Sequence, residues 1–487
     1  MKTLSTDALI IGAGPAGLAC AMELSKAGKD FIVVEKDSMV GGLAKTYVFR
    51  EGDLTFRTDN GPHRFFSKNP YLYEFIEDLL DEQWIEVKRQ TRQFIGGKFY
   101  DYPVNAMQAL KNLGLFKAVQ ILFDYGIAKI EYAVFKKPIR NFADYVYANF
   151  GKTLGEFSMI NYTEKIWGID ATDIHADWAG QRIKGLNLMS LAKDMVMRLL
   201  GGTSAGKPKT LVDAFYYPDM GTGLIYDAIK KRIEEKGYQV LLNTEPTKVT
   251  VRDGKVAEVI LKGPDGDITV TCNTLVESVP LPKFIELLSP AAPAHVTEAK
   301  NKLRYRSQVY LFLTLDKESV TADQWIYFPD KNNPIGRMSE MRNFSAKMSP
   351  AGKTSLFIEF FCFENDATWN MTKDELLAYV LPYLEGAGFI KKNEIRNAYL
   401  LKQKDVYPLY DVAYHSYLDV VKGYLDGFKN LLYIGRPGRF RYNNQDHSLE
   451  MGMLAAKSVI EGKKYDIEKV GDEAEYYEAG KLREKLS

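Results

Sequence analysis

The sequence predicts an α/β protein with a nucleotide-binding domain of mainly parallel strands, a helical insert and a β-sheet substrate domain. Three observations lead to this fold class. Residues 6–45 contain a short apolar run, a glycine-rich turn, a helical pattern and a second apolar run, in that order. Residues 101–215 are mostly helical in pattern, and residues 301–425 are rich in strand patterns. A length of 487 residues favours several domains over one core.

Composition narrows the functional class. Hydrophobic residues make up 46% of the chain and charged residues 26%, as is usual in globular proteins, and the net charge of +1 gives no general attraction to nucleic acid. Cys20, Cys272 and Cys362 form no CxxC pair, which argues against a disulfide framework or a structural zinc site. We therefore expect no metal site, no secretion signal, no transmembrane segment and a cytoplasmic location.

The first element is a dinucleotide-binding turn of the Rossmann type. In ALIIGAGPAGLA, Gly12, Gly14 and Gly17 fit the pattern G-x-G-x-x-G after a buried strand and before a helix. Gly12 permits the tight turn, Gly14 lets the backbone approach a pyrophosphate, and Gly17 lets the helix pack against the strand. The second strand, FIVVE, ends at Glu35, whose carboxylate can bind a ribose.

A second glycine pair follows this unit. Gly41-Gly42-Leu43 resembles the extended signature of the glutathione-reductase and amine-oxidase group of flavoproteins. The resemblance implies that the cofactor is FAD and that Leu43, Ala44 and Lys45 pass beneath the flavin.

The later elements complete the same domain. Residues 216–262 predict a helix that opens near Gly223 and then alternating strands, in which Val249 is expected to contact the cofactor. Residues 431–440 predict a buried strand and a glycine turn, and residues 445–462 predict a helix that ends at Gly462, with Asp446 as its N-cap. The predicted domains are the FAD-binding domain (1–100, 216–300 and 426–465), the helical insert (101–215), the β-rich substrate domain (301–425) and a charged tail (466–487).

One helical segment has two interpretations. Residues 115–135 are largely apolar, with Lys117, Asp124, Lys129 and Glu131 interspersed. The segment is either a core helix of the insert or a contact with a membrane surface or a second subunit.

Several stretches resemble the UDP-galactopyranose mutase family, in the same order along the chain. They are GPHRFFSKN (61–69), GGKFYDYPVN (96–105), NYTEKIWGI (161–169), Arg182, PIGRMSEMRNFS (334–345), DVYPLYD (405–411) and GRPGRFRYNNQDHS (435–448). The resemblance places the chain in the wider superfamily of protoporphyrinogen oxidase-like and amine oxidase-like flavoproteins.

The resemblance implies a set of site residues. His63 would lie against the flavin, and Arg182 and Arg337 would bind a diphosphate, for which permanently charged arginines are suited; these three are the predicted catalytic residues. The other predicted substrate-binding residues are Tyr102, Trp167, Tyr407 and Tyr442. The final cofactor-binding segment would supply Gly435, Arg436, Asn444, Gln445, Asp446 and Ser448. A core role or metal ligation are the alternatives for His63.

The implied function is a pyranose–furanose mutase acting on a nucleotide-linked sugar, with reduced flavin as the nucleophile and an external electron donor. The segments WAGQRIKGLNL (178–188) and YNNQDHSLEMGMLAA (442–456) are more similar to proteins of the protoporphyrinogen oxidase group, and Asn444 stands where the mutases tend to carry an acid. The alternative is therefore an FAD-dependent oxidase or dehydrogenase of the protoporphyrinogen, amine or polyene type, with an external electron acceptor.

The two arginines discriminate between these functions. If Arg182 and Arg337 face the open side of the flavin, the sugar-nucleotide function gains support, whereas pairing with carboxylates favours the oxidase. A flavin-binding subunit without its own activity is a third possibility, and a homo-oligomer is compatible with all three.

Overall fold

The predicted α/β fold class is confirmed. The computed structural model describes residues 2–102, 106–182 and 214–471, and within these ranges the side chains of residues 106–111, 115, 118, 158 and 180–182 are left out. Two large sheets dominate the described part of the chain. The tail predicted over 466–487 lies outside the described residues from position 472 onwards.

The first sheet contains the strand that leads into the glycine turn. This strand, Lys2–Ile11, pairs in parallel with Phe31–Val34 on one side and Gly266–Glu277 on the other. All four residues of Phe31–Val34 are buried, as expected for a strand covered on both faces. The sheet has eight strands: Lys2–Ile11, Phe31–Val34, Gln239–Leu241, Glu245–Arg252, Lys255–Gly263, Gly266–Glu277, Leu288–Ser289 and Leu431–Tyr433.

Helices from distant parts of the chain pack on this sheet. The helix Pro15–Lys26 lies so close to the helix Gln445–Glu461 that a Cβ on Gly452 would come within 2.0 Å of the Ala16 carbonyl oxygen. The predicted end of the second helix at Gly462 is confirmed, since Gly462 has φ of 66°. This packing brings the glycine turn close to the start of the helix Gln445–Glu461.

The second sheet has seven strands and faces the first across a cleft. Its strands, in spatial order, are Ile395–Pro408, Tyr305–Leu315, Thr354–Cys362, Arg337–Glu340, Trp325–Tyr327, Thr91–Ile95 and Lys98–Asp101. The last two fall, except for Asp101, within the segment 1–100 that the sequence assigns to the FAD-binding domain. They join the second sheet because Thr91–Ile95 pairs in parallel with Trp325–Tyr327.

Smaller elements join these layers. Two strand pairs lie beside the sheets: Thr46–Glu51 with Leu54–Asp59, and Trp84–Lys88 with Ala214–Pro218. The remaining α-helices of the described ranges are Pro70–Leu80, Ala106–Lys129, Phe142–Phe150, Lys152–Leu154, Asn161–Trp167, Asp177–Arg182, Gly223–Glu235, Leu281–Glu286, Ala294–Lys300, Ala367–Asn370, Lys373–Gly386, Tyr414–Asp426 and Gly435–Gly438.

The segment predicted as helical over 115–135 is helical, but it is not a core helix. It forms the later part of Ala106–Lys129, after a non-helical Gly114, and continues as a π-helix over Ile130–Val134. Its large apolar side chains are mostly exposed, from Phe116 at 88% to Ile127 at 41%. No helix in the described ranges combines the length and apolar character needed to cross a membrane.

Candidate active site

A cleft between the two sheets brings together most of the predicted site residues. Its lining includes Gly12, Gly14, Glu35, Gly42, Leu43, His63, Arg64, Thr244, Ser278, Trp325, Tyr327, Arg337, Gly435, Arg436, Tyr442, Asn444, Gln445 and Ser448. The residues from the first sheet and its loops form one side, and those from the second sheet form the other.

The glycine turn after the first strand closes one end of the cleft. Gly12 has φ of 99°, and a Cβ there would lie 2.3 Å from Ser278 Oγ. A Cβ on Gly17 would lie 1.9 Å from the Gly12 carbonyl oxygen. The helix Pro15–Lys26 begins without a side-chain cap, so its first amide N–H groups are available to an anionic ligand.

Glu35 fixes the shape of this turn. Its carboxylate accepts hydrogen bonds from the backbone N–H of Ala13, at 2.8 Å, and of Asp37, at 3.0 Å. Burial raises the pKa of Glu35, while these two hydrogen bonds favour the ionised form. A carboxylate has about four acceptor sites, so Glu35 can also accept hydrogen bonds from a ribose in the cleft.

The second glycine pair touches the first. Gly42 has φ of 53°, and a Cβ there would lie 3.1 Å from Gly14 Cα. Two loops in such close contact leave the backbone of both facing the cleft. Leu43 follows directly, and its carbonyl oxygen lies 2.9 Å from His63 Nε2.

His63 is half-buried beside the Gly42–Leu43 loop and is neutral at pH 7. Its pKa is lowered to about 4 by burial and by the positive charges of Arg436 and Arg337. Because the Leu43 carbonyl can only accept, the Nε2 proton of His63 donates to it. His63 therefore positions the Leu43 loop, and a metal-ligand role finds no support in this hydrogen bond.

Arg436 is a second fixed cation of the cleft. It follows Gly435, which has φ of 75°. Its guanidinium donates to the carbonyl oxygen of Asn443 and lies 4.9 Å from the ring centroid of Tyr442 and 5.5 Å from that of Tyr407. Backbone carbonyls and aromatic faces hold the group in place, so its charge remains available to the cleft.

The helix Gln445–Glu461 points its N-terminus towards the same region. Its N-cap is Asn444, which makes no side-chain capping bond, so the predicted N-cap at Asp446 is wrong, because Asp446 lies within the first turn. Asn444, Gln445 and Ser448 line the cleft, whereas Asp446 is buried away from it. The open helix end favours negative charge in the cleft.

Val249 lies outside the cleft lining. Its N–H donates to the Leu287 carbonyl oxygen at 2.7 Å, and its side chain is fully buried in the core beneath the first sheet. At this end of the cleft the lining residues are Thr244, Glu245 and Pro246. The sequence could not distinguish these positions because all lie in the one run that its pattern predicts as alternating strands.

The wall formed by the second sheet is a row of directly paired residues. Tyr327 pairs with Arg337, Arg337 with Glu359, and Glu359 with Tyr310. Directly opposed residues of neighbouring strands point to the same face of a sheet. The register therefore places these four side chains side by side, and Tyr327 and Arg337 border the cleft.

Arg337 forms a bidentate ion pair in this wall. Its Nε lies 2.5 Å from Glu359 Oε1, and its Nη2 lies 2.7 Å from Glu359 Oε2. Glu359 is fully buried and also accepts a hydrogen bond from Gln308 Nε2 at 2.9 Å. The pair as a whole is neutral. A Cβ on Gly61 would lie 3.8 Å from Arg337 Nη2 and 4.0 Å from His63 Nε2, so two of the three predicted catalytic side chains border Gly61.

Sequence reasoning missed several residues of this wall. Trp325 and Arg64 line the cleft, and the Arg64 guanidinium lies 5.5 Å from the Trp325 ring centroid. Phe66 also lines it. Glu359 had a detectable signal, because it is the one charged residue in the apolar run SLFIEFFCF, and a buried charge requires a partner.

The remaining predicted substrate residues differ in position. Tyr442 lines the cleft and stacks on Tyr407 with ring centroids 5.8 Å apart. Tyr102 lies 5.1 Å from the Tyr327 ring, measured between ring centroids, and is not among the described residues that line the cleft. Trp167 is fully buried against Trp178, and the cleft lining of the described residues does not include it.

Arg182 is not placed by the structure. It is the last residue of the helix Asp177–Arg182, and its side chain lies outside the described residues.

Lys165 supports the wall from behind. Its ammonium group donates to three backbone carbonyls, those of Phe328, Asp330 and Ile335. These residues belong to the connection between the strands that carry Tyr327 and Arg337. Burial lowers the pKa of Lys165 to about 7, and we interpret Lys165 as a positioning residue.

A cluster of two histidines and an aspartate lies elsewhere. Asp177 Oδ2 lies 2.7 Å from His415 Nε2 and 3.3 Å from His175 Nδ1, and the three ligand atoms lie within 4.8 Å of one another. His175 Nδ1 also accepts a hydrogen bond from the Asp177 backbone N–H. These contacts account for the cluster as a hydrogen-bonded link between the helices Asp177–Arg182 and Tyr414–Asp426.

The first side of the cleft fits a dinucleotide. Two interlocked glycine loops, a carboxylate placed for a ribose, two open helix ends and the fixed Arg436 form a continuous surface around it. Each feature suits a different part of such a ligand. Glu35 can bind the ribose, and the N-terminus of the helix Pro15–Lys26 can bind the pyrophosphate. Arg436 and the N-terminus of the helix Gln445–Glu461 can stabilise the negative charge of a reduced ring system.

Comparison with known proteins identifies the family. The family model described as flavin-containing amine oxidoreductase matches residues 15–404, which is most of the chain, and the chain belongs to this family. Its cofactor is FAD.

The relatives differ in how much of the chain they match. The zeta-carotene desaturase of Solanum lycopersicum is 29% identical over 136 residues, which cover 27% of this chain and 22% of that protein. The L-amino-acid oxidase of Bothrops moojeni is 24% identical over 358 residues, which cover 67% of this chain and 66% of that protein. The chain thus spans about a fifth of the desaturase and just under two thirds of the oxidase.

The fold also matches solved structures along nearly the whole chain. A crystal structure of reduced UDP-galactopyranose mutase superimposes with a TM-score of 0.79 at 20% sequence identity, covering 96% of this chain and 97% of the other. At this identity the likeness shows a shared fold.

Proposed function

We propose that this member of the flavin-containing amine oxidoreductase family is an FAD-dependent oxidoreductase that oxidises an uncharged, largely apolar substrate. The bound FAD would take up two electrons from the substrate and pass them to an external acceptor. The residues of the second sheet would bind and orient the substrate, and the first side of the cleft would hold the cofactor.

The observation that carries this proposal is the ion pair between Arg337 and Glu359. A diphosphate needs uncompensated positive charge, and the bidentate contact with a fully buried carboxylate neutralises Arg337. The neutral pair presents a polar but uncharged spot beside the aromatic side chains of Trp325 and Tyr327. Such a wall suits a substrate with few polar groups.

The aromatic residues that line the cleft support an apolar substrate. Trp325, Tyr327, Tyr442 and Phe66 supply large aromatic surfaces that favour the displacement of water by an apolar molecule. Among the curated relatives, the zeta-carotene desaturase has a name that denotes an apolar polyene substrate. A polyene, or another extended apolar molecule, is therefore the substrate class that we infer.

The fixed cations disfavour an amine substrate. Arg436 already lies against Tyr407 and Tyr442, with its guanidinium 5.5 and 4.9 Å from their centroids. A protonated amine at this aromatic pair would face like charge. His63 does not supply a base at its Nε2 atom, because that nitrogen donates its proton to Leu43.

The test is a set of anaerobic titrations of the FAD-loaded protein, followed by the loss of flavin absorbance near 450 nm. We expect a polyene or another neutral apolar substrate to bleach the flavin, and primary amines and amino acids to leave it oxidised. Arg337→Ala should keep the flavin spectrum but slow bleaching. Bleaching by a small amine, with none by any apolar compound, would contradict the proposal.

A mutase acting on a nucleotide-linked sugar is the second candidate, and one observation favours it. The guanidinium group has five N–H donors, of which the pair with Glu359 occupies two. Arg337 can therefore still donate from the cleft wall to a phosphate oxygen.

A second assay on the FAD-loaded protein distinguishes the oxidoreductase from the mutase. The protein is reduced anaerobically, given UDP-galactopyranose, and assayed by chromatography for the furanose isomer. Isomer formed only with reduced flavin, and without net oxidation, would establish the mutase and overturn the oxidoreductase proposal. No isomer, together with bleaching by an apolar substrate, would support the oxidoreductase.

A further inference from the structure

One helix of the insert exposes its apolar face. Its most regular row consists of large apolar side chains at spacings of three and four residues, the period of a helix. They are Phe116, Val119, Phe123, Ile127, Ile130 and Val134, with exposed fractions of 88, 57, 67, 41, 52 and 68%. Phe135 and Ile139 extend the row at its end, at 75 and 48%. We call these eight residues the apolar row.

The opposite face of the same helix is fastened to the protein by polar groups. Asp124 Oδ2 accepts hydrogen bonds from the backbone N–H and the hydroxyl of Thr153. Lys129 Nζ donates to the Ala148 carbonyl oxygen at 2.9 Å, and the Tyr132 hydroxyl donates to Asp144 at 2.9 Å. A surface helix normally buries its apolar side. Here the polar side chains face the protein and are half-buried, and their contacts fix the apolar row facing outward.

Basic residues border the apolar row. Lys117 lies near its start, and Lys136, Lys137 and Arg140 lie at its end, all exposed. The exposed acid of this stretch, Glu131, is paired with Lys137 at 3.3 Å. The described surface around the row is therefore net positive.

We propose that the apolar row docks this protein on the surface of a membrane that contains anionic lipid. The helix would lie in the plane of the interface, with the row among the acyl chains and the basic residues at the headgroups, as an interfacial amphipathic helix does. A second copy of this chain fits less well, because a two-fold contact would bring the basic ends of the row against like charge. The inference stands on this helix and does not depend on the proposed redox chemistry.

The test is co-sedimentation of the FAD-loaded protein with vesicles of phosphatidylcholine alone or with 30% phosphatidylglycerol. We expect binding that is stronger on the anionic vesicles and weaker at high salt. Phe116→Asp combined with Phe123→Asp should lower partitioning at least about tenfold, and Lys136→Glu combined with Lys137→Glu should lower it on anionic vesicles. Tyr379→Asp, at a side chain 42% exposed on another helix, should leave binding unchanged.

A polarity-sensitive dye attached to the Phe123→Cys variant shows whether a membrane, a second copy or another segment of this chain covers the apolar row. A blue shift that appears only with anionic vesicles supports the proposal. A blue shift without vesicles that grows with protein concentration would mean a second copy, and one independent of concentration would mean another segment of this chain; either overturns the proposal, as does no binding of the wild-type protein. Dye-treated protein without the new cysteine controls for Cys272, which is partly exposed.

Discussion

The two sides of the cleft are built in different ways. The cofactor side consists of backbone: glycine turns, helix ends and carbonyl groups, with Glu35 and Arg436 as its main side chains. The substrate side consists of side chains on neighbouring strands, and its charge depends on Arg337 meeting Glu359. Backbone geometry can be read from a local pattern of glycines. The net charge of a wall depends on which residues the strand register brings together.

The largest loss of stability should come from breaking the ion pair between Arg337 and Glu359 on the substrate side. Glu359→Gln leaves the Arg337 charge without its carboxylate in a buried position, which typically costs about 3–5 kcal/mol of unfolding free energy. Chemical denaturation of the FAD-loaded protein measures this loss. Removing both charges, with Arg337→Met added, should recover at least half of it.

Glu364→Gln is the matched control for this change. Glu364 also pairs with a cation, Lys404, but both side chains are about half exposed, so the cost should stay below about 1 kcal/mol. An equal loss in Glu364→Gln and Glu359→Gln would show that the buried pair has no special weight in the wall.

The next largest effect should be a loss of FAD affinity on the cofactor side. Gly17→Ala places a Cβ 1.9 Å from the Gly12 carbonyl oxygen unless the turn moves, so we expect FAD affinity to fall by about 100-fold, or roughly 3 kcal/mol. Fluorescence titration of the apoprotein with FAD measures it. Gly423→Ala, a helical position where a Cβ meets no atom within 4 Å, should bind FAD like the wild type.

A smaller effect should appear as a pH dependence at the boundary between the two sides. The folded-state pKa of His63 is about 4, below its ordinary value of 6.5. Between these values the unfolded chain binds a proton that the folded protein does not, so this residue lowers stability as pH falls from 6.5 towards 4. Relative to His63→Gln, the wild type should lose about 2 kcal/mol between pH 7 and pH 5.

Thermal denaturation at both pH values checks this difference. Asp59, whose pKa is raised to about 6 by burial, changes stability in the opposite direction, but it is common to both proteins and cancels in the comparison. Parallel pH profiles for the wild type and His63→Gln would mean that His63 titrates normally in the fold.

The smallest effect is expected at the helix end that faces the cofactor. Asn444 occupies the N-cap but makes no side-chain capping bond, so Asn444→Ala should cost less than about 0.5 kcal/mol of stability. Thr372→Ala, which removes a complete capping box from the helix Lys373–Gly386, should cost about 1 kcal/mol. Urea denaturation compares the two. A larger loss at Asn444 would show that its side chain does close this helix end.

The sequence by itself determined the α/β class and the order of the glycine turns, and its resemblance to known flavoproteins implied the FAD cofactor. The pattern around Gly12, Gly14 and Gly17 is local, and its chemistry follows from the missing Cβ atoms. The helix ending at Gly462 was readable for the same reason, since a left-handed terminal residue is a local property.

Only the tertiary structure decided the charge of the substrate wall and the direction of the insert helix. Arg337 looks like a phosphate ligand until the register of two antiparallel strands places Glu359 beside it. The apolar residues from Phe116 to Val134 look like a core until Asp124 and Lys129 are seen to hold the other face. In both cases the sequence supplied the side chains, and long-range pairing determined which of them were neutralised, buried or left exposed.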